Sequence, residues 1–183
     1  GRFDSDEFDF TERRLRAEVD NSLKRLHTDH VDLLIAHDIE FADPAVVLGE
    51  GLPTLAALKA EGKARYIGVS GLPLHVLKTA VDASEVDVIL SYCRYCLNDT
   101  GLAPYAREWR AAGLGVINAS PLAMALLTPN GPPEWHPAPR DLFDAATRAA
   151  EHCKARGANL AFLGMQYAFA CADVDTTMTG TSR

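Results

Sequence analysis

The stretch VDLLIAHDIE, residues 31–40, is apolar from Leu33 through Ala36 and then breaks to His37, Asp38 and Glu40. A short apolar run that stops on groups able to do chemistry is the pattern of a buried parallel strand whose C-terminal end faces a site. The same pattern recurs at ARYIGVS (64–70), VDVILSY (86–92) and GVINAS (115–120), with a last short strand expected over Thr176 to Gly180. Polar groups collect at the ends of these runs: Ser70, Tyr92 with Cys93, and Asn118 with Ser120.

Helical segments separate the strands. Leu15, Val19, Leu23 and Leu26 fall at three-and-four spacing over 11–26. Val46 to Ala60 reads as a helix ended by Gly62 and weakened or kinked by Gly51 and Pro53. Leu74 to Ala83 is helical, and Asp99 is expected to N-cap a helix running to Ala112. A Pro-rich loop over 121–139 leads into helices over 142–156 and 159–172, split by Gly157. This alternation implies an α/β fold with a parallel sheet covered on its faces, either doubly wound or a (β/α)₈ barrel. No G-x-G-x-x-G or P-loop pattern follows any strand, and the polar strand ends favour the barrel. Closure needs eight strands, so five amount to a partial TIM barrel.

The 183 residues are 48% hydrophobic and 23% charged, which predicts one partial barrel domain over 1–183. Net charge is −7 with no Lys/Arg stripe, so neither nucleic acid nor a membrane surface is an expected partner. Four sparse cysteines, no signal peptide and no membrane-length apolar run predict a soluble, reduced, cytoplasmic chain. The opening GRFDSDEF has no Met and TMTGTSR ends a strand-like run, so the chain is expected to be cut at both ends. No metal site is expected. Cys93-Arg94-Tyr95-Cys96 lacks two further ligands, and His27 and His30 lie about 20 Å from His37 at the rise of a strand.

NSLKRLHTDHVDLLIAHD (21–38), ARYIGVSG (64–71), GVINASPLA (115–123) and the terminal TGTS resemble, in order and at similar spacing, segments of the aldo-keto reductase family. Within it, DIEF (38–41), SGLPL (70–74), VDVILSYCRYCLND (86–99), ASPLA (119–123) and GPPEWHPA (131–138) resemble a branch of sugar dehydrogenases of the L-galactose dehydrogenase type. The resemblance implies a (β/α)₈ barrel of which this chain holds strands four to eight. It implies NAD- or NADP-dependent hydride transfer, here oxidising a small-molecule sugar such as L-galactose at C1 to a lactone.

By the same resemblance His37 matches the family's catalytic His, while the Tyr, Lys and Asp that complete its tetrad would lie on absent strands, so the chain alone is expected to be inactive. A neutral imidazole at a strand end suits donation of a hydrogen bond to a substrate oxygen. Ser70 matches a contact to the nicotinamide carboxamide, and Gly71 stands where Asn is common. Tyr92 takes a Gln position and Ala119 a Tyr position; Tyr92 either supplies an aromatic face to the cofactor or only packs. Ser120 and Leu122, in a Ser-Pro-Leu string, match residues along the cofactor diphosphate. Gly180, Thr181 and Ser182 match a phosphate loop, and Arg183 either meets a 2′-phosphate or is solvated.

Asp38 and Glu40 either bind sugar hydroxyls or serve the loop. Trp135, in a long loop, either stacks on a sugar face or packs under its own loop. Two other classes stay open: a barrel lyase or isomerase acting on a phosphorylated sugar, and a non-catalytic partial barrel that associates through its sheet edges. Oligomeric state is not readable.

Overall fold

A computed structural model describes residues 8–180. Seven α-helices and five strands alternate along them: α1 (Glu12–Leu26), β1 (Val31–Ala36), α2 (Pro44–Val46), α3 (Leu52–Ala60), β2 (Ala64–Gly71), α4 (Leu74–Ala83), β3 (Val88–Tyr92), α5 (Leu102–Ala111), β4 (Gly115–Ala119), α6 (Arg140–Ala155), α7 (Leu160–Phe169) and β5 (Thr176–Met178). The strands are parallel, in the order β1-β2-β3-β4-β5, and the sheet is not closed. The chain divides into two compact units, residues 1–90 with 108–115, and 91–107 with 116–183.

In the first unit β1 and β2 pair in register from Val31 with Ala64 to Ala36 with Val69. Val19 and Leu23 of α1 bury against Leu58 of α3, with Val31 and Leu34 of β1 packed alongside. That contact is what the spacing of the α1 leucines and valine is for. The helix expected over 46–60 is interrupted. Between α2 and α3 the chain makes one wide π-type turn, Val47–Gly51. Pro53 explains the widening, because it has no N–H to give and its ring crowds the carbonyl four residues back.

The entrance to β3 is held by Asp87. Its carboxylate accepts the Ile67 N–H at 2.8 Å and pairs with the Lys59 ammonium at 2.6 Å. Its backbone N–H donates to the Ile67 carbonyl, and its own carbonyl accepts the Gly115 N–H, both at 2.8 Å. One residue thus ties α3, β2 and the start of β4, and the sheet bonds on this side begin at Asp87, one residue ahead of β3.

In the second unit Asp175 repeats part of that device at β5, where its carboxylate accepts the Val116 N–H at 2.8 Å. Here β4 and β5 pair from Ile117 with Thr176 to Ala119 with Met178. Cys96, Leu126, Leu127, Ala146 and Leu160 are buried together, with Leu122 and Phe143 against them. Asn159 caps α7 by accepting from the N–H groups of Ala161 and Phe162. Asp99 does not cap α5. Its carboxylate accepts the Gly101 N–H at 2.8 Å and its backbone bridges Cys96, so the helix starts later, at Leu102.

Gly68 is closely approached by the neighbouring strand, since a Cβ there would meet the Val88 carbonyl oxygen at 2.5 Å. Gly68→Ala should therefore cost about 1–3 kcal/mol, as overpacking against backbone does, read as a lower midpoint in chemical denaturation. A wild-type midpoint would contradict this close approach of β2 and β3.

Candidate functional site

Where β1 ends, the backbone turns sharply: Asp38 has φ 57° and ψ 51°, a left-handed conformation uncommon for any residue but Gly. The turn is pinned from both sides. The Asp38 N–H donates to the Ser70 hydroxyl at 3.3 Å, and the Asp38 carbonyl accepts the Phe41 N–H at 3.2 Å. Ile39, in the single 3₁₀ turn Ile39–Phe41, is buried beneath it. His37 Nδ1 lies 3.1 Å from Asp38 Oδ2, with the His37 side chain 54% exposed and that of Asp38 only 6%. The ring opens on a groove of about 790 Å³ lined in part by Leu15, Val19, Leu34 and Ile35.

Ser70 and Gly71 end β2 beside this turn. Ser70 is fully buried, and having accepted from Asp38 its hydroxyl keeps its own proton to donate. Glu40 accepts the Leu72 N–H at 2.8 Å, and a Cβ on Gly71 would sit 2.6 Å from the other Glu40 oxygen. Glu40 therefore serves the loop, and Gly stands at 71 because a carboxylate fills the space a side chain would take. His37, Asp38, Ser70 and Gly71 are thus brought together within the first unit.

The second unit gathers its own group. Tyr92 is half-buried at the end of β3. Cys93, at φ 59°, donates its N–H to the Ala119 carbonyl at 3.0 Å, and Ser120, at φ 52°, donates its N–H to the Met178 carbonyl at 3.1 Å. Burial pushes the Cys93 thiol up to about 11, with neighbouring Cys96 adding to the rise and a hydrogen bond from Ser120 opposing it. Such a thiol is a neutral packing group at ordinary pH and no nucleophile. Cys96 is buried, within hydrogen-bonding distance of the Cys93 carbonyl and Asn98, and all four cysteines are free thiols. Among the described residues no three His, Cys, Asp or Glu side chains assemble as a metal site. None of their helices is long and apolar enough to cross a membrane.

Leu122 packs into the core of the second unit, its Cδ2 3.0 Å from where a Gly164 Cβ would be. Gly180 is exposed with open space around it, while Thr181, Ser182 and Arg183 lie outside the described residues. Trp135 is 70% exposed and so is not packed beneath its loop. The residue that holds that loop is its neighbour. His136 Nε2 meets the Ala123 carbonyl at 2.9 Å, Nδ1 accepts the Ala138 N–H at 3.1 Å, and the ring sits edge-on to Phe143. Ala123, whose carbonyl His136 meets, opens a run with Met124 and Ala125 in which all three have positive φ. Sequence reasoning passed over His136, and its only cue was a His beside the more conspicuous Trp.

A model of the aldo/keto reductase family matches residues 2–183. The chain belongs to that family. L-galactose dehydrogenase of Arabidopsis thaliana is 46% identical over 178 residues, covering 96% of this chain and 56% of the relative. D-arabinose 1-dehydrogenase of Saccharomyces cerevisiae is 33% identical over 178 residues, covering 92% and 53%. The holo form of an aldo-keto reductase from Bacillus halodurans superposes with a TM-score of 0.77 at 25% identity, over 95% of this chain and 56% of that one. The chain spans about half the length of the curated relatives it matches. Membership of this family accounts for five parallel strands with their covering helices, whose sheet is open here where the family barrel is closed.

The His136 tether makes a prediction. His136→Ala should speed proteolytic cleavage within residues 128–138, whereas Trp135→Ala should leave that rate near wild type. Equal rates for His136→Ala and wild type would show that the loop is held elsewhere.

Proposed function

We propose that the protein carrying these residues is an NAD- or NADP-dependent sugar dehydrogenase that oxidises an aldose, such as L-galactose, at C1 to its lactone. The observation that carries the reading is His37, a half-exposed imidazole backed by a buried carboxylate at a strand's C-terminal end, in a chain of this family. Two relatives named above carry sugar dehydrogenase names, and a third, D-threo-aldose 1-dehydrogenase of a Pseudomonas species, is 32% identical over 97% of this chain and 56% of the relative.

When bound, the nicotinamide supplies the hydride acceptor. The Ser70 hydroxyl, with its proton still to give, would hold the carboxamide, and backbone at Gly71 would line it. Tyr92 would offer an aromatic face. At the diphosphate end the Ser120 N–H is already taken by Met178, leaving its hydroxyl and the open backbone at Gly180, with Thr181 and Ser182 as further members by resemblance. Leu122 would contribute through its backbone, since its side chain is in the core.

Oxidation at C1 removes a hydride from carbon and a proton from the C1 hydroxyl, leaving the lactone carbonyl. His37 would hold that oxygen by a hydrogen bond at its exposed edge. Asp38, its carboxylate buried beside the ring, would act on the sugar through His37. Trp135, exposed on its loop, would offer a stacking surface for a sugar face. By resemblance the Tyr that carries the proton, with its Lys and Asp, has no match among these 183 residues, so the chain by itself should turn over no sugar.

The test is formation of reduced cofactor, followed by absorbance with a panel of aldoses in the protein that carries this chain. Turnover with L-galactose or a related aldose is expected, and His37→Gln should lower kcat by about 10²-fold, the usual size of a lost hydrogen bond to a reacting oxygen. No cofactor reduction with any aldose would overturn the reading.

A further inference from the structure

We propose that His136 is a positioning residue for the cofactor's diphosphate: it fixes the turn from Ala123 to Leu126 so that the backbone N–H groups of Met124 and Ala125 are held ready for an anion. The inference rests on the dehydrogenase reading, which puts the diphosphate beside Ser120 and Leu122, the residues that lead into this turn.

The partners of the ring set its protonation. Nδ1 accepts the Ala138 N–H at 3.1 Å, so it carries no proton, and the single proton of the neutral imidazole lies on Nε2. Nε2 then donates to the Ala123 carbonyl at 2.9 Å. That carbonyl also accepts the Leu126 N–H at 3.1 Å, the bond that closes the turn. One oxygen, with two lone pairs, thus joins the turn to the ring, and the ring is seated edge-on against Phe143 of α6.

The turn needs such support. Its φ is 49° at Ala123, 51° at Met124 and 74° at Ala125. Residues with a Cβ resist this region, and turns with positive φ at both central positions are normally built from Asn, Asp or Gly. Met and Ala have neither the freedom of Gly nor a side chain that bonds its own backbone, so contacts from outside the turn impose the conformation. His136 supplies one at the carbonyl where the turn closes.

What the conformation achieves lies in its donors. Successive residues of one left-handed turn point their N–H groups to the same side, the arrangement that makes a backbone nest for an anion. The Ala123 N–H is taken by the Ser120 carbonyl at 2.9 Å, which keeps the turn close to the end of β4. Among the described residues the N–H groups of Met124 and Ala125 donate to nothing, and both residues are only half-buried. Two convergent donors next to Ser120 suit a phosphate oxygen.

The test is titration calorimetry with NAD⁺ and with NADP⁺ on the protein that carries this chain. His136→Ala should weaken binding of whichever nucleotide the unsubstituted protein takes by about 10-fold, the size of one hydrogen bond to a charged group. Met124→Asn with Ala125→Gly writes a sequence that adopts the turn unaided, so adding this pair to His136→Ala should restore the unsubstituted affinity. A His136 that only ties down the loop would leave binding unmoved by His136→Ala, and a ring that touched the nucleotide itself would leave the triple variant as weak as His136→Ala. Either result overturns the proposal. If His136→Ala alone does not fold, it is read in the doubly substituted background, where unchanged affinity supports the proposal and a loss overturns it. Binding is read without a sugar, so a protein that shows this pattern yet reduces no cofactor with any aldose loses only the dehydrogenase reading, and one that binds neither nucleotide loses both.

Discussion

In an extended strand successive side chains point to opposite faces, so two neighbours cannot serve one point. His37 and Asp38 do meet, because the backbone between β1 and its following turn enters the left-handed region at Asp38. A non-glycine residue gives up about 1–2 kcal/mol to sit there. Hydrogen bonds to Ser70 and from Phe41, with Ile39 buried below, offset that cost and make the turn a fixed corner. The same turn carries Glu40 to the Leu72 N–H, so the end of β2 takes its shape from the end of β1.

At the other ends of the strands the chemistry is different in kind. Asp87 and Asp175 each spend a carboxylate on the N–H of a neighbouring strand, and neither side chain is turned to a ligand. Parallel strands supply unpaired donors at their entrances, and an aspartate one or two residues ahead of a strand meets that need locally. This division follows the habit of parallel barrels, where strand entrances hold the fold and strand ends hold the site. An outsized effect of Asp87 substitution on stability and of His37 substitution on turnover would express the same separation.

The strands could be read from the sequence because each is a short apolar run with polar residues at its end, and burial forces that pattern locally. What escaped reading depends on contacts far along the chain. Asp99 has the chemistry of a helix cap, yet its bridge with Cys96 draws it into a turn ahead of α5. Gly71 looks like a lost side-chain contact until Glu40, thirty-one positions earlier, is seen filling its space. Asp38 carries a carboxylate that composition alone would send to solvent or sugar, and only the sign of its φ turns it onto His37. His136 was hidden for the same reason, because its partners lie at Ala123, near the start of the loop it ties, and at Phe143 in the helix after it.

The central claim is that this corner serves hydride removal from the anomeric carbon of an aldose. It is tested most directly by supplying L-galactose deuterated at C1 to the protein that carries this chain and analysing the reduced cofactor by mass spectrometry. The account predicts one deuterium transferred to the nicotinamide and a slowed turnover relative to the unlabelled sugar. Reduced cofactor without deuterium, or deuterium released to water, would contradict it.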